Sequence, residues 1–218
     1  MTAKISFCLT LVGLFALTAS MIGCAQIAGP SAAPSGPGIT TALPPPSLDG
    51  EASLEETLSR RRSVREFSNR PLTTAELGQL LWAAQGRTNE RGFRTAPSAG
   101  ALYPLEIYVA TAEGVFHYDP QHHRLLVSSL DDARPRIYDA ALKQEPLRQA
   151  PALFIVTALY ERTAQKYGAE RSPRYVHLEA GHAAQNLLLQ AVALDLGAVP
   201  IGAFYDQQIL QVLGLSAD

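Results

Sequence analysis

Arg60, Arg61, Arg62, Ser63 and Arg65 crowd four guanidinium groups and a hydroxyl into six residues. A phosphate monoester needs fixed cationic donors, and the planar guanidinium fork offers two parallel bonds to phosphate oxygens. The same residues would equally serve as a solvated basic helix end that complements the helix dipole. Further along, Pro97-Ser98-Ala99-Gly100-Ala101 and Pro200-Ile201-Gly202-Ala203 carry few bulky side chains. Loops of this kind let backbone N–H and C=O groups approach a planar ring closely, although each alone also reads as an ordinary turn. Lys166-Tyr167 offers an ammonium and a phenol for proton transfer; an exposed lysine beside a packed tyrosine is the other reading. His177, Glu179 and His182 have metal-ligating side chains, but the histidines are five residues apart. They do not share a helix face, so packing or capping fits them better. His122-His123 falls in an expected turn and should be solvated.

Several elements must position these residues. Ser53 and Glu56 are spaced as a capping box, with Leu54 and Leu58 one turn apart, which predicts a helix to about Arg62. Thr73 and Glu76 repeat the box ahead of Leu77, Leu80, Leu81 and Ala84, with Gly86 as the stop. Leu105, Ile107 and Val109 alternate as a strand; Glu113-Gly114 turns the chain into a second strand from Val115, and Arg124 to Val127 reads as a third. A helix holding Ile137, Ala141 and Leu142 follows, then the apolar run from Pro151 to Tyr160, short enough for a buried strand. The longest helix is expected from about Pro173 to Leu196, stopped by Gly197, and Asp206 is placed to cap a last short helix. Helices around a few strands, without strict alternation, argue for an α+β fold.

The chain has 218 residues and a formal net charge of -2, which suits one domain and gives no global attraction to nucleic acid. Lys4, the uncharged stretch from Ile5 to Ile22 and the Gly23-Cys24 end read as an export signal over residues 1–23; a retained membrane helix is the alternative. Met21-Ile22-Gly23-Cys24 is similar to a bacterial lipobox, which implies cleavage before Cys24 and lipidation of its thiol; simple secretion is the runner-up. Cys8 would leave with the signal, so the globular part would hold no cysteine. Residues 24–47, rich in Ala, Pro, Gly and Ser, are expected as an extended linker, and residues 48–218 as the folded domain.

The arginine-serine-arginine cluster and the two small-residue loops, in this order, resemble the nitroreductase superfamily. Within it, they resemble the branch of SagB-type dehydrogenases that form thiazole and oxazole rings in peptides. Leu102-Tyr103-Pro104-Leu105-Glu106, Val115-Phe116-His117-Tyr118-Asp119 and the stretch from Leu178 to Leu187 support the likeness, which covers about Ser53 to Leu215. The resemblance implies an FMN-binding α+β fold. A mostly antiparallel central sheet would be flanked by helices, with one long core helix and FMN between the subunits of a homodimer. It implies that Arg61, Arg62, Ser63 and Arg65 hold the phosphate and ribityl chain. It further implies that Pro97, Ser98, Ala99, Gly100 and Ala101 line the flavin, that Pro200, Ile201, Gly202 and Ala203 approach its reactive nitrogen, and that Lys166 and Tyr167 are the catalytic pair. Family members usually continue into a further C-terminal strand, whereas this sequence ends at Asp218.

The expected function is hydride transfer between FMN and a small-molecule or peptide substrate, with NAD(P)H or another electron donor. The expected location is the bacterial cell envelope, periplasm or outer surface, with the membrane reached by the lipid anchor alone. A degenerate flavin- or ligand-binding envelope lipoprotein without turnover is the alternative, and a flavin-free structural lipoprotein a third reading.

Overall fold

The computed structural model describes residues 5–11 and 40–216. Its seven strands are β1 (Ile5–Leu11), β2 (Thr40–Ala42), β3 (Leu105–Thr111), β4 (Gly114–Asp119), β5 (Arg124–Ser129), β6 (Leu153–Ala158) and β7 (Leu196–Ile201). They form one sheet in the order β2-β5-β4-β3-β6-β1-β7. The run from β2 to β6 is antiparallel. β1 then pairs in parallel with β6 on one side and β7 on the other. The helices are α1 (Leu54–Arg60), α2 (Thr74–Gln85), α3 (Arg134–Ala140), α4 (Glu145–Gln149), α5 (Tyr160–Tyr167), α6 (Ser172–Ala193) and α7 (Asp206–Leu213).

Period-two strands send successive side chains to opposite faces, and both faces here are covered. Leu105, Ile107 and Val109 of β3 and Phe154 and Val156 of β6 pack with Leu80, Leu81 and Ala84 of α2 and Ala180, Ala183 and Leu187 of α6. Tyr108, Ala110, Leu153 and Ile155 face the other way, onto Ile137 of α3, Leu147 of α4 and Ile209 of α7. The expected α+β fold is therefore present, with α6 as its long core helix. Burial of Val176, Ala180, Ala183, Leu187 and Ala191 follows the three-to-four-residue spacing of one helix face.

Local signals set several boundaries. The Thr73 hydroxyl accepts from the Glu76 N–H while the Glu76 carboxylate accepts from the Thr73 N–H, completing the expected box. At α1 only half the box forms: Ser53 accepts from Glu56, whose carboxylate turns to Arg60. The first helix stops at Arg60, short of the expected Arg62, and buries Thr57 while Leu54 and Leu58 are exposed. Gly197 lies inside β7, an element the sequence reading took for a helix end followed by a turn. Asp206 is the first helical residue of α7, with Tyr205 at the cap position.

The folded part begins earlier than expected. Thr40–Ala42 pair with β5, and Leu43 is buried against α2, where a Cβ on Gly78 would lie 3.3 Å from Leu43 Cβ. His123, expected to be solvated, is instead bonded to the Tyr118 hydroxyl at 2.9 Å and the Pro44 carbonyl at 2.9 Å. An apolar side chain and a carbonyl acceptor thus convert the end of the expected linker into a strap across the sheet edge. Ile5–Leu11 lies in the stretch expected as an export signal; the rest of that segment and Cys24 lie outside the described residues. No helix among the described residues is long and apolar enough to cross a membrane.

Candidate active site

One edge of the sheet collects the small-residue loops. Leu105 at the start of β3 pairs with Ala158 at the end of β6, and β7 runs parallel to β6 through β1. The loop before β3, helix α5 after β6 and the segment after β7 all emerge there. Pro97 to Ala101 precede β3 and close with a single 3-10 turn, Ala99–Ala101. Gly100, Ala101 and Tyr103 all have positive φ, at 65°, 55° and 47°. For the two non-glycine residues this costs on the order of 1 kcal/mol each, and such strain persists only where surroundings enforce it.

Those surroundings are polar and specific. The Tyr103 N–H donates to the Ser98 hydroxyl at 2.9 Å, and the Tyr103 hydroxyl accepts from the Arg94 N–H at 3.1 Å. The Arg94 guanidinium lies 4.7 Å from the centre of the Tyr103 ring and donates to Gln85, which in turn donates to Glu179. Glu179 is buried; burial holds its carboxyl above the usual range against bonds from Ser98 and Gln85 and the charge of Arg94. Burial also lowers the Arg94 guanidinium, opposed by the charges of Glu106 and Glu179.

Lys166 and Tyr167 sit at the end of α5, directly over this loop. A Cβ built on Gly100 would fall 2.9 Å from Lys166 Nζ and 3.1 Å from the Tyr167 hydroxyl oxygen. The Tyr167 ring packs on Tyr175 of α6, centroids 4.5 Å apart. The structure therefore brings the expected catalytic pair onto the expected Pro97–Ala101 loop.

The arginine cluster belongs to the other side of the edge. Ser63 bridges Ala198 in parallel, and the Val64 N–H donates to the Ala198 carbonyl at 3.0 Å. That tie sets Arg61, Arg62, Ser63 and Arg65 beside β7, which ends with Pro200 and Ile201 and leads into Gly202 and Ala203. Ile201 is buried, whereas Pro200, Gly202 and Ala203 are exposed. Among the described residues Arg62 donates to the carbonyls of Ser59 and Arg61, and Arg65 to that of Ser63. Among the described residues no carboxylate pairs with Arg61, Arg62 or Arg65, whereas Arg60 is taken by Glu56 and Asp195. A cleft lined by Arg60, Arg62, Val64, Leu188 and Ala198 opens beside them. No hydrogen bond or ion pair among the described residues joins the arginine group to the Lys166 group; β6 and β1 lie between them.

Sequence reasoning did not single out Glu106 or Arg162. Glu106 accepts from Arg162 at 2.6 Å and contacts His117 Nε2 at 2.7 Å. Burial would raise its carboxyl, but the His117 bond and the Arg162 charge bring it below the usual range. The available signal was a carboxylate inside an otherwise apolar strand. His177, Glu179 and His182 do not gather: no metal-ligating group of three forms among the described residues.

The profile of the nitroreductase family matches residues 58–218, which includes every element of this site. The chain belongs to the nitroreductase family. A candidate nitroreductase of Methanocaldococcus jannaschii is 48% identical over 169 residues, covering 75% of this chain and 85% of that protein. The solved structure of a candidate nitroreductase from Ralstonia eutropha is 32% identical, covers 81% of this chain and 82% of its own, and superposes with a TM-score of 0.74. The trifolitoxin-processing protein TfxB of Rhizobium leguminosarum is 30% identical over 119 residues, half of this chain and 32% of that protein. A nitroreductase-like structure from Desulfovibrio desulfuricans, solved in complex with FMN, shares the fold at a TM-score of 0.57 and 22% identity, covering 76% and 78% of the two chains. This nitroreductase-family chain is accordingly an oxidoreductase by descent.

Proposed function

We propose that this oxidoreductase uses FMN to dehydrogenate a small-molecule or peptide substrate in the manner of the SagB-type branch, with Lys166 and Tyr167 handling the substrate proton. The observation that carries the proposal is the seat of Lys166 Nζ and the Tyr167 hydroxyl on Gly100, in a strained small-residue loop. The residues present fit the cofactor. Among the described residues Arg61, Arg62 and Arg65 have no carboxylate partner, as a phosphate site requires. A Cβ on Gly202 would meet nothing within 4 Å, which leaves room for a flat ring at the end of β7.

When bound, FMN supplies hydride transfer; the protein supplies position and proton management. Arg61, Arg62, Ser63 and Arg65 would hold the phosphate and ribityl chain. Pro97 to Ala101 and Pro200 to Ala203 would lie against the ring. Lys166 would take a proton from the substrate as hydride leaves its carbon, with Tyr167 orienting the group. The separation of the two residue sets across the sheet edge favours a homodimer in which each FMN draws on both subunits. A peptide substrate is favoured by the likeness to TfxB, and FMN by the Desulfovibrio neighbour. The Met21-Ile22-Gly23-Cys24 sequence favours a lipid-anchored envelope location; cleavage there would remove β1, so processed and unprocessed chains would differ between β6 and β7.

The test is the absorbance spectrum of the purified full-length protein, desalted with and without added FMN. Flavin bands that survive desalting are expected. Changing Arg61 and Arg65 together to Ala should weaken FMN binding at least about tenfold, since each charge-assisted bond contributes about 1.5–3 kcal/mol. Unchanged occupancy would overturn the phosphate site, and a protein that stays colourless would overturn the cofactor.

A further inference from the structure

Helix α5 carries the Lys166-Tyr167 pair, yet little within α5 itself holds it in place. It spans eight residues, has no side-chain cap, and ends at Gly168 with φ 82°. A helix this short is unstable in isolation, so its position is set from outside. The Leu159 N–H donates to the Pro104 carbonyl at 2.8 Å, Thr163 is buried, and the Ser172 hydroxyl donates to the Tyr160 carbonyl at 2.8 Å. Tyr160 contacts His177 of α6 at 3.1 Å and Tyr167 packs on Tyr175, and a further anchor, on the loop side, is Arg162. One of its nitrogens donates to the Tyr103 carbonyl at 3.0 Å, and the other reaches the Glu106 carboxylate at 2.6 Å.

That fork spans two elements that the active site needs in register. Tyr103 closes the strained loop that contains Gly100. Glu106 stands on β3, its second oxygen occupied by His117 of β4, whose ring stacks on Tyr108 with centroids 4.7 Å apart. The carboxylate is therefore fixed before Arg162 binds it. Arg162 and Lys166 are four residues apart on α5 and so project from the same helix face. Whatever fixes the Arg162 guanidinium against Tyr103 also fixes the height and rotation of Lys166 above Gly100.

We propose that Arg162, clamped by Glu106, is a positioning residue that holds Lys166 and Tyr167 over the Pro97–Ala101 loop. It acts through Lys166 and is not itself in contact with the reacting atoms. A lysine at this position could reach the carbonyl or the carboxylate with a single ammonium, but could not form the fork. The inference rests on the reading of Lys166 as the proton-handling group, and its test separates the two.

The test uses the full-length FMN-loaded protein and two readouts. In the first, a thiazoline-containing peptide is mixed anaerobically with the protein, and loss of flavin absorbance reports reduction as the ring is oxidised to a thiazole. Each turnover moves one hydride from substrate carbon to flavin and one proton to the protein; reoxidation by a quinone is the control. Arg162→Ala should lower the limiting reduction rate at least about tenfold, leaving the half-saturating peptide concentration and the quinone step unchanged. Arg162→Lys should recover part of the rate, and the Arg162→Ala/Lys166→Ala double variant should be no slower than Lys166→Ala alone, because the two act as a unit. The second readout is amine acetylation followed by mass spectrometry, with Lys143 as internal reference for the folded protein. Lys166 labelling relative to Lys143 should shift at least about twofold in Arg162→Ala and less in Arg162→Lys.

Reduction and labelling both at wild-type levels in Arg162→Ala would overturn the positioning role, as would rate losses that simply multiply in the double variant. Full activity in Lys166→Ala, or a peptide that never reduces the flavin, would count against the proposed function alone; the labelling ratio then decides the inference. If Arg162→Ala does not fold, Glu106→Gln, which keeps the shape but removes the charge, carries the same expectations.

Discussion

Glu179 shows what burial does to one carboxyl. Its surroundings hold it above the usual carboxylate range, chiefly through burial, with Ser98, Gln85 and Arg94 opposing. A folded-state value above the unfolded 4.5 means that the group favours folding fully only below about pH 4.5. That contribution is lost as pH rises through the folded value. Glu179→Gln does not titrate, so its melting temperature relative to wild type should climb as pH rises above about 4.5. A pH-independent difference in thermal unfolding would show that the carboxyl is not perturbed. Residues of this kind are hard to read from a sequence. In the sequence Glu179 stands out beside His177 and His182 as a metal-capable side chain, and only the fold reveals that Gln85 and Ser98 face it instead. Lys166 and Tyr167 could be singled out because they are adjacent in sequence, and the fold adds that both lie against Gly100; Arg162 could not, because Glu106 lies on another strand.

Among the elements, those fixed by local pairs were the most legible. The Thr73-Glu76 box is a three-residue arrangement and appears as expected, with both reciprocal bonds formed. Thr73→Ala should cost about 1 kcal/mol in chemical denaturation, while Ser53→Ala, at a box only half formed, should cost less. Equal losses at the two sites would argue that the reciprocal Glu76 bond adds nothing. Elements fixed by distant partners escaped. β7 contains Gly197 and Pro200, which read as a stop and a turn, but pairing with β1 and the Ser63 bridge make it a strand. Proline is tolerated where its missing N–H is not called on by the ladder. α5 is polar on average, although Tyr160, Thr163, Ala164 and Tyr167 fall on one inward face, and it is held from outside by Tyr103, Pro104, Glu106 and α6. α1 misled through its leucines: Leu54 and Leu58 mark the exposed side, and the small Thr57 faces inward.

Across the whole molecule, the antiparallel half of the sheet and its two helical layers could be anticipated from periodicity, whereas the gathering of three loops at one sheet edge could not. That gathering depends on β3 running opposite to β6 and β7, a matter of topology rather than of composition. The domain boundary was likewise misplaced, since Pro44-Pro45-Pro46 reads as linker although Leu43 just before it is buried. The strap formed by Thr40–Ala42, Leu43 and the Pro44 carbonyl is small in area, but among the described residues it is what covers the outer side of β5. An uncovered strand is a template for pairing with any other chain. The hold of this strap therefore governs the protein's colloidal behaviour as well as its fold. Full-length Thr41→Pro/Leu43→Asp, which leaves β1 between β6 and β7, should scatter light and precipitate on concentration with its core still largely formed. The full-length protein without these changes should stay monodisperse under the same conditions.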